Sequence, residues 1–305
     1  MNVKFLYPSL TRKAVTFTID DGNMKYDAML LDILKLAGVK GTFNLCSDLH
    51  YGKEAEARDF YDGYGIANHC KHHPLVDFDG VVYNVTDEKF DESTADPALV
   101  YPVDDREGFF WVMRPNGWRQ MVFEPDFSRY VEQGLTELRA IFGDGVKDFV
   151  WPYGNQDSAS VHDTVKRLHR SSRITGCRLD LDGFSLPKDK YAWSYNANHL
   201  NLLEVMEKYE AYPDDGELKF FAFGVHSIDF ERDGKWDDLR TFADRYGARP
   251  DDFWYATVEE IFDYEEAISA LEISDGVIKN PGSVKVYLEL DGEVVSVDAG
   301  GVYTA

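Results

Sequence analysis

The stretch Ala14–Gly22, which reads Ala-Val-Thr-Phe-Thr-Ile-Asp-Asp-Gly, decides how the rest of the chain is interpreted. Its first six residues are apolar or β-branched, a composition typical of a buried strand. The segment Tyr26–Ala37 then repeats apolar residues at helical spacing, and Gly38 supplies a residue suited to a helix C-terminus. We therefore predict a strand followed by a helix, with two adjacent carboxylates at the turn between them.

This strand-then-helix unit recurs along the chain. Strands are predicted near Ala14–Ile19, Gly41–Leu45, Ile66–Asn68, Phe149–Trp151, Arg173–Cys177, Phe220–Val225 and Phe253–Ala256. Helices are predicted over Tyr26–Ala37, Phe127–Phe142, Ser158–His169, Leu200–Tyr209, Trp236–Tyr246 and Val258–Leu271. Strands that alternate with helices indicate parallel pairing with right-handed crossovers, so we predict an α/β fold, a distorted (β/α) barrel of about seven parallel strands.

Two segments interrupt this alternation. Val76–Glu124 is rich in Asp, Pro, Gly and aromatic residues, and we interpret it as an elaborated loop that shapes a substrate groove. Near the C-terminus, Val284–Leu290 and Glu293–Val297 alternate on both sides of Asp291-Gly292, a strong hairpin signal. We predict a barrel over residues 1–275 and a β-hairpin appendage over 276–305.

Charge and composition exclude several functions. The formal net charge of −23 opposes binding to nucleic acid or to anionic membrane surfaces. No apolar run resembles a signal peptide or is long enough to span a bilayer. Cys46, Cys70 and Cys177 are widely spaced and odd in number, which fits a reducing compartment, so we expect a cytoplasmic protein.

Polar residues follow four of the predicted strands at their C-terminal ends. They are Asp20-Asp21-Gly22 after the first strand, His69–His73 after the third, Pro152–Gly154 after the fourth and His226 after the sixth. Because the C-terminal ends of barrel strands share one face, we expect these residues to form a single pocket.

The paired aspartates form either an ordinary turn or part of a metal centre, and the clustered histidines are either a solvated loop or metal ligands. Two adjacent carboxylates resist joint ionisation when desolvated, and a bound cation relieves this cost. One could ligate the cation while the other acts as a base. His69 and His73 are four residues apart, which can bring both rings to one side, and Asp21 would complete the set; His69 with His72 is the rival pair.

Other residues of the expected pocket have both a structural and a functional interpretation. The Trp151–Gly154 turn is either an ordinary strand end or a turn that aims a backbone N–H at an oxyanion, with aromatic walls. His226 is either structural or the proton donor. His199 either lies in a loop or reaches the pocket rim, and Cys70 is interpreted as a small filler residue.

Taken together, these residues resemble the polysaccharide deacetylase family, also called the NodB-homology domain or carbohydrate esterase family four. Four segments are similar to its motifs, in the family's order: Thr18–Gly22, Asn68–Pro74, Trp151–Gly154 and Val225–Ser227. The matched region covers about residues 14 to 265.

The resemblance implies a divalent metal, usually zinc, with cobalt, nickel or manganese as alternatives. The implied metal ligands are Asp21, His69 and His73. The resemblance also implies Asp20 as general base, His226 as general acid and the Tyr153 N–H as oxyanion donor. The implied reaction removes an acetyl group from an N-acetylated, or less often O-acetylated, sugar. The candidate substrate contacts are Trp151, Pro152, Trp193 and His199.

The chain departs from the family at two supporting positions. Val150 stands where many members have an arginine that braces the catalytic aspartate, and Ala192 stands where an aspartate orients the acid histidine. The candidate replacements are Arg178, Asp180, Asp182 and Asp189.

Three functional hypotheses follow. The first is a metal-dependent deacetylase acting on an N-acetylated sugar or a related acylated amine. The second is a cytoplasmic hydrolase of another small-molecule C–N bond, such as that of a ureide or cyclic imide, which the missing supporting residues favour. The third is a non-catalytic carbohydrate-binding barrel.

Overall fold

The computed structural model of the chain describes residues 2–76, 84–154, 158–176 and 184–304. In these ranges the strands are β1 Val3–Leu6, β2 Lys13–Asp21, β3 Gly41–Leu45, β4 Gly65–Asn68, β5 Asn84–Val85, β6 Leu99–Pro102, β7 Phe109–Arg114, β8 Gly117–Val122, β9 Asp148–Val150, β10 Ser171–Arg173, β11 Lys219–His226, β12 Trp254–Tyr255, β13 Glu272–Ser274, β14 Val277–Lys279, β15 Val286–Leu290, β16 Glu293–Val297 and β17 Val302–Thr304. The helices are α1 Met24–Leu36, α2 Glu54–Phe60, α3 Glu124–Phe142, α4 Ala159–Leu168, α5 Leu202–Glu210, α6 Ser227–Arg232, α7 Trp236–Tyr246 and α8 Val258–Ser269, with 3₁₀ turns at Ser47–His50 and Pro152–Gly154.

Six parallel strands form a curled central sheet in the order β10-β9-β4-β3-β2-β11, and β12 also pairs in parallel with β2. This architecture confirms the predicted α/β barrel. The irregular segment 190–197 bridges the two edge strands. At one edge, the N–H of Ile174, which follows β10, donates to the Trp193 carbonyl at 2.9 Å. At the other edge, the N–H of Gly224 in β11 donates to the Ala197 carbonyl at 2.9 Å.

Local sequence explains most of these elements. The interior residues of β2 are all buried, and the stripe of α1 that includes Leu30 and Leu34 packs in the main core. Every predicted strand and helix has a counterpart, although β10 is Ser171–Arg173 and Cys177 lies outside the described residues. The short helices α2 and α6 were not predicted. Among the described residues no helix has the length and apolar character needed to cross a membrane.

Residues 77–83 of the segment Val76–Glu124 lie outside the described residues. For the rest of the segment, the prediction of an elaborated loop was wrong. Strands β5 to β8 form a four-stranded sheet here. In the β7–β8 hairpin Arg114 pairs with Gly117, whose φ of 101° suits glycine. The Val122 N–H donates to the Leu75 carbonyl at 2.8 Å, which anchors the sheet directly after His69–His73.

The predicted C-terminal hairpin is confirmed. Strands β15 and β16 pair antiparallel with Leu290 opposite Glu293, which leaves Asp291-Gly292 as the turn. The N-terminal strand β1 pairs with β15, and β13, β14 and β17 form a second antiparallel sheet. The Tyr264 hydroxyl of α8 accepts the Tyr287 N–H at 2.9 Å, which fastens this region to the barrel. The division at 275/276 stays a prediction.

Candidate metal and catalytic site

The polar residues at the strand ends meet at one face of the barrel. In the register of β2 and β11, His226 lies opposite Asp20. Oδ1 of Asp21 is 3.6 Å from Nε2 of both His69 and His73, and its Oδ2 is 3.9 Å from Nε2 of His226. Residues that are far apart in the sequence, such as Asp21 and His226, therefore lie close together in space.

Asp21, His69 and His73 form a group with the properties of a metal centre. Each offers one ligand atom, and these atoms lie within 4.8 Å of one another. Oδ1 of Asp21 and Nε2 of His69 are buried and have no hydrogen-bond partner in the described part of the chain. Their separation of 3.6 Å is too long for a hydrogen bond but suits two ligands of one cation. Two imidazoles and a carboxylate are a donor set that zinc uses, so the residues present fit the implied metal.

The hydrogen bond of His69 and the burial of His73 also suit a metal. Nδ1 of His69 donates to the Val150 carbonyl at 2.8 Å, which leaves the lone pair of Nε2 directed at Asp21. Burial, together with the neighbouring His69, lowers the pKa of His73 to about 4. A neutral imidazole is the form that binds metals.

His72, the alternative partner for His69, is used elsewhere. Its Nδ1 donates to Oδ2 of Asp48 at 2.9 Å, and its backbone N–H donates to Oδ1 of the same carboxylate at 2.8 Å. The ring of His72 packs edge-on against Tyr130, with the centroids 5.4 Å apart. His72 therefore fixes the loop and does not join the group formed by Asp21, His69 and His73.

The loop that carries His73 has an unusual backbone, in which Cys70, His72 and His73 all have positive φ values of 70°, 67° and 45°. Such conformations are costly for residues other than glycine and persist when their surroundings hold them. The buried Asn68 amide provides this support: its Oδ1 accepts the Cys70 N–H at 2.9 Å. A Cβ at Gly134 of α3 would lie 2.6 Å from that oxygen, so glycine allows the close approach of helix and loop.

Asp20, at the end of β2, has only 7% of its surface exposed. Its Oδ1 accepts a hydrogen bond from Nη2 of the fully buried Arg173 and one from Nδ2 of Asn44 at 2.6 Å. Burial alone would raise the pKa of Asp20. The positive charges of Arg173, His69 and His226 outweigh this effect and hold the pKa well below its usual range. These charges therefore favour the ionised carboxylate of Asp20 at neutral pH.

Arg173, and not residue 150, is the arginine that contacts Asp20 in the described residues. The two residues are register partners in β10 and β9. Sequence reasoning missed this residue and suggested Arg178, which lies outside the described residues. The available signal was a lone arginine in a predicted buried strand, which requires a carboxylate partner.

The acid candidate His226 forms a hydrogen bond with a carboxylate partner, Asp229. Its Nδ1 donates to Oδ2 of Asp229 at 3.0 Å. This hydrogen bond outweighs burial and, with the carboxylates of Asp20 and Asp21, raises the pKa of His226 to about 9. Of the replacements suggested for Ala192, Asp180 and Asp182 lie outside the described residues. The suggestion of Asp189 was wrong: its Oδ1 accepts the Tyr191 N–H at 2.8 Å.

The turn at residues 152–154 lies beside the metal group. Tyr153 has a φ of 57° and its side chain is mostly exposed. The ring centroids of Tyr153 and His73 are 4.6 Å apart, so the ring forms part of the site wall. Pro152 is buried, and Trp151 has no exposed surface and stacks on Phe127 in the core. The prediction that Trp151 and Pro152 contact substrate is therefore not supported, because the chain turns outward only at Tyr153.

Trp193 and His199 are also buried. Trp193 is 3% exposed and packs against Phe220 and Phe262. His199 is 7% exposed, and its Nε2 bonds to Oδ2 of Asp233 at 2.7 Å. Both predictions of a substrate contact are contradicted by burial.

Comparison with known families gives a match over more than half of the chain. A profile described as "polysaccharide deacetylase" matches residues 8–169. This range contains Asp20, Asp21, His69, His73 and Tyr153, and it ends before His226. No curated protein sequence matches the chain significantly.

Solved structures similar to the chain share little sequence with it. The peptidoglycan deacetylase PdaC from Bacillus subtilis is 12% identical, with 85% of this chain and 94% of that chain covered and a TM-score of 0.45. The polysaccharide deacetylase Bc1974 from Bacillus cereus is 14% identical, with coverages of 81% and 92% and a TM-score of 0.43. BA3943 from Bacillus anthracis, described as a pseudoenzyme of the same esterase family, is 11% identical, with coverages of 82% and 65% and a TM-score of 0.44.

Proposed function

Because the chain belongs to the polysaccharide deacetylase family, we propose that it is a metal-dependent hydrolase that removes the acetyl group from an N-acetylated sugar. The observation that carries this proposal is the group formed by Asp21, His69 and His73, whose ligand atoms lie within 4.8 Å of one another. Asp20 and His226 flank this group at the ends of two neighbouring strands.

The metal would be held by Oδ1 of Asp21 and by Nε2 of His69 and His73. When bound there, a divalent cation would supply Lewis-acid chemistry, namely polarisation of the acetyl carbonyl and a lower pKa of water. The chain contributes preorganisation: His69 is held in one tautomer by the Val150 carbonyl, and the buried Asn68 holds the loop that carries His73. Ligands held in this way need not reorganise when a metal binds.

Asp20 would act as the general base. Its carboxylate is ionised and held by Arg173 and Asn44, so it can accept a proton from the attacking water. Tyr153, whose ring lies beside that of His73, would donate its backbone N–H to the oxyanion that develops on the acetyl carbonyl.

His226 would act as the general acid. Its pKa is raised to about 9, so the imidazolium is populated at neutral pH and can give its Nε2 proton to the leaving group. An amine leaves poorly unless it is protonated, and an acid that keeps its proton to high pH suits amide cleavage. This supports an N-acetyl substrate over an O-acetyl one. The acidic protein would also favour a substrate that becomes cationic as it turns over.

Metal restoration and a substrate panel together test the proposal. The protein is stripped with a chelator, reloaded with zinc, cobalt, nickel or manganese, and assayed on N-acetylated oligosaccharides, O-acetylated sugars, ureides and cyclic imides. We expect acetate release from the N-acetylated sugars that needs added metal. Release of ammonia or ring opening from ureides or imides would instead support the second hypothesis. Sugar binding without turnover of any substrate would support the third.

A further inference from the structure

We propose that Arg173 and Asn44 are positioning residues that engage Oδ1 of Asp20 and so reserve Oδ2 as the atom that accepts the proton. This inference rests on the proposed function, because it assigns the reacting oxygen of its general base. Nothing in a sequence motif identifies either residue. The assignment comes from the strand register, the burial and the hydrogen bonds around Asp20.

The strand register explains how Arg173 reaches Asp20. Arg173 of β10 and Val150 of β9 are parallel-strand partners, so their side chains leave the sheet on the same face. Arg173 projects across the barrel, and its Nη2 donates to Oδ1 of Asp20, which is 153 positions away in sequence. The guanidinium therefore arrives from the strand beside the one that carries Val150.

The burial of Arg173 makes this pairing specific. Its side chain has no exposed surface, and Asp20 is the carboxylate with which it pairs in the described residues. A buried guanidinium without a counter-charge is strongly unfavourable. Tyr195 packs beside it, with the ring centroid 5.4 Å from Cζ, which limits the other directions that the guanidinium can take. Asp20 is thus held by a cation that pairs with no other carboxylate of the described residues.

Asn44 supplies the second donor to the same oxygen. It lies opposite Asp20 in the register of β3 and β2. Its Nδ2 donates to Oδ1 of Asp20 at 2.6 Å and to Oγ1 of Thr18 at 2.8 Å, so the amide is itself held by two contacts. Arg173 and Asn44 therefore approach Oδ1 from two different strands.

The two carboxylate oxygens of Asp20 consequently differ. Oδ1 accepts two hydrogen bonds, one of them charge-assisted, whereas Oδ2 accepts none from the described residues. Protonation of Oδ1 would put a new proton against two donors, which is unfavourable. Oδ2 retains its lone pairs for the water and is fixed in orientation because a rotation of the carboxylate would break both contacts.

The test moves the guanidinium from one strand to its register partner. Three variants are made: Arg173→Val, Arg173→Lys, and the double variant Val150→Arg with Arg173→Val. Metal-loaded proteins are assayed for kcat, KM and zinc affinity on an N-acetylated oligosaccharide. Arg170→Met is the matched control, because the Arg170 side chain is only 9% exposed and pairs with Asp148 at 2.8 Å without touching Asp20.

Loss of positioning predicts a specific pattern. Arg173→Val should lower kcat on the order of 100-fold, with KM and zinc affinity changed by less than about threefold. Arg173→Lys keeps the charge but loses the planar fork, so its kcat should be intermediate. The double variant should recover about tenfold or more of the lost kcat, and Arg170→Met should keep the kcat of the wild type.

Several results would overturn the inference. One is an unchanged kcat in Arg173→Val. Another is a loss of zinc affinity as large as the loss of kcat in Arg173→Val, together with no recovery of kcat in the double variant. This result would indicate that Arg173 has only a packing role. If the wild type deacetylates nothing, the proposed function fails, and crystal structures then decide the inference separately. An Asp20 carboxylate that keeps its orientation in both Arg173→Val and Asn44→Leu contradicts a positioning role, whereas a rotated carboxylate supports it.

Discussion

Nδ1 of His226 donates to Oδ2 of Asp229 at 3.0 Å, within the first turn of the helix that His226 itself precedes. The same carboxylate accepts the His226 backbone N–H at 3.3 Å, and Arg232 binds its other oxygen at 2.7 Å. This capping arrangement fixes the ring, and Nε2 lies 3.9 Å from Oδ2 of Asp21. The acid candidate is therefore oriented by its own helix.

Asp229→Asn is expected to move the loss of activity at high pH toward lower pH. A general acid acts only while protonated, so the rate falls as the pH rises through its pKa. Asp229 is the largest cause of the raised pKa of His226, and removing its charge lowers that pKa. A bound cation would offset the charge of Asp21, whereas Asp229 would still raise the pKa of His226. In a profile of kcat against pH, the alkaline limb should shift down by about one unit.

Asp233→Asn is the matched control for this prediction. Asp233 lies in the same region, where it binds His199 at 2.7 Å and Arg232 at 2.9 Å, but it does not touch His226. Its variant should keep the alkaline limb of the wild type. Equal shifts in the two variants would refute a specific role for Asp229.

His73→Ala should lose metal binding, whereas His72→Ala should retain most of it. Nε2 of His73 faces Oδ1 of Asp21 at 3.6 Å, while His72 bonds to Asp48. Loss of one of three protein ligands should weaken zinc binding by about 100-fold or more, and loss of the His72 contact by less than about tenfold. Zinc titration with a competing chelator measures both. Similar affinities in the two variants would contradict the ligand assignment.

Asn68→Ala is expected to destabilise the protein by about 2–4 kcal/mol, because three buried groups lose their partner. Asn68 accepts the Cys70 N–H and donates to the Val131 carbonyl at 3.0 Å and to Nε2 of His169 at 3.1 Å. Urea unfolding of the metal-free protein measures this change, and zinc affinity should fall with it. Asn198→Ala, which removes a hydrogen bond to the exposed Leu200, should change stability by less than about 1 kcal/mol.

His169 should make stability fall at acidic pH. Burial lowers the pKa of His169 to about 3, whereas an unfolded histidine has a pKa near about 6.5. Between these values the unfolded chain binds the extra proton, so stability decreases as the pH falls. Over that window the free energy of unfolding of the wild type should lose up to about 1.4 kcal/mol per pH unit more than that of His169→Gln. Parallel pH dependences in urea unfolding would show that His169 is not buried as a neutral group.

Much of the site followed from local pattern. Apolar runs that end in Asp20-Asp21 or His226 identify strands, and parallel strands in a barrel place their C-terminal ends on one face. The hairpin at Asp291-Gly292 could also be predicted from a few neighbouring residues. The β7–β8 hairpin turns at Pro115-Asn116 and is followed by Gly117, a β-turn sequence that could also have been predicted.

The supporting residues could not all be predicted in this way. Arg173 reaches Asp20 across 153 positions, and only the order of strands brings them together. Asp229, in contrast, stands three residues after His226, a spacing typical of a helix capping box, and could have been inferred. Trp151 and Trp193 were misjudged because aromatic residues beside a motif do not reveal on which side of the sheet they lie.

The central claim is that Asp20 is the base of a metal-dependent deacetylase, and acetate release by Asp20→Asn tests it most directly. Wild type and Asp20→Asn are loaded with zinc, their metal content is measured, and acetate release from an N-acetylated oligosaccharide is followed. We predict one bound metal in both proteins and a rate at least about 100-fold lower in the variant. Equal rates at equal metal content, or no acetate from the metal-loaded wild type on any acetylated sugar, would contradict the account.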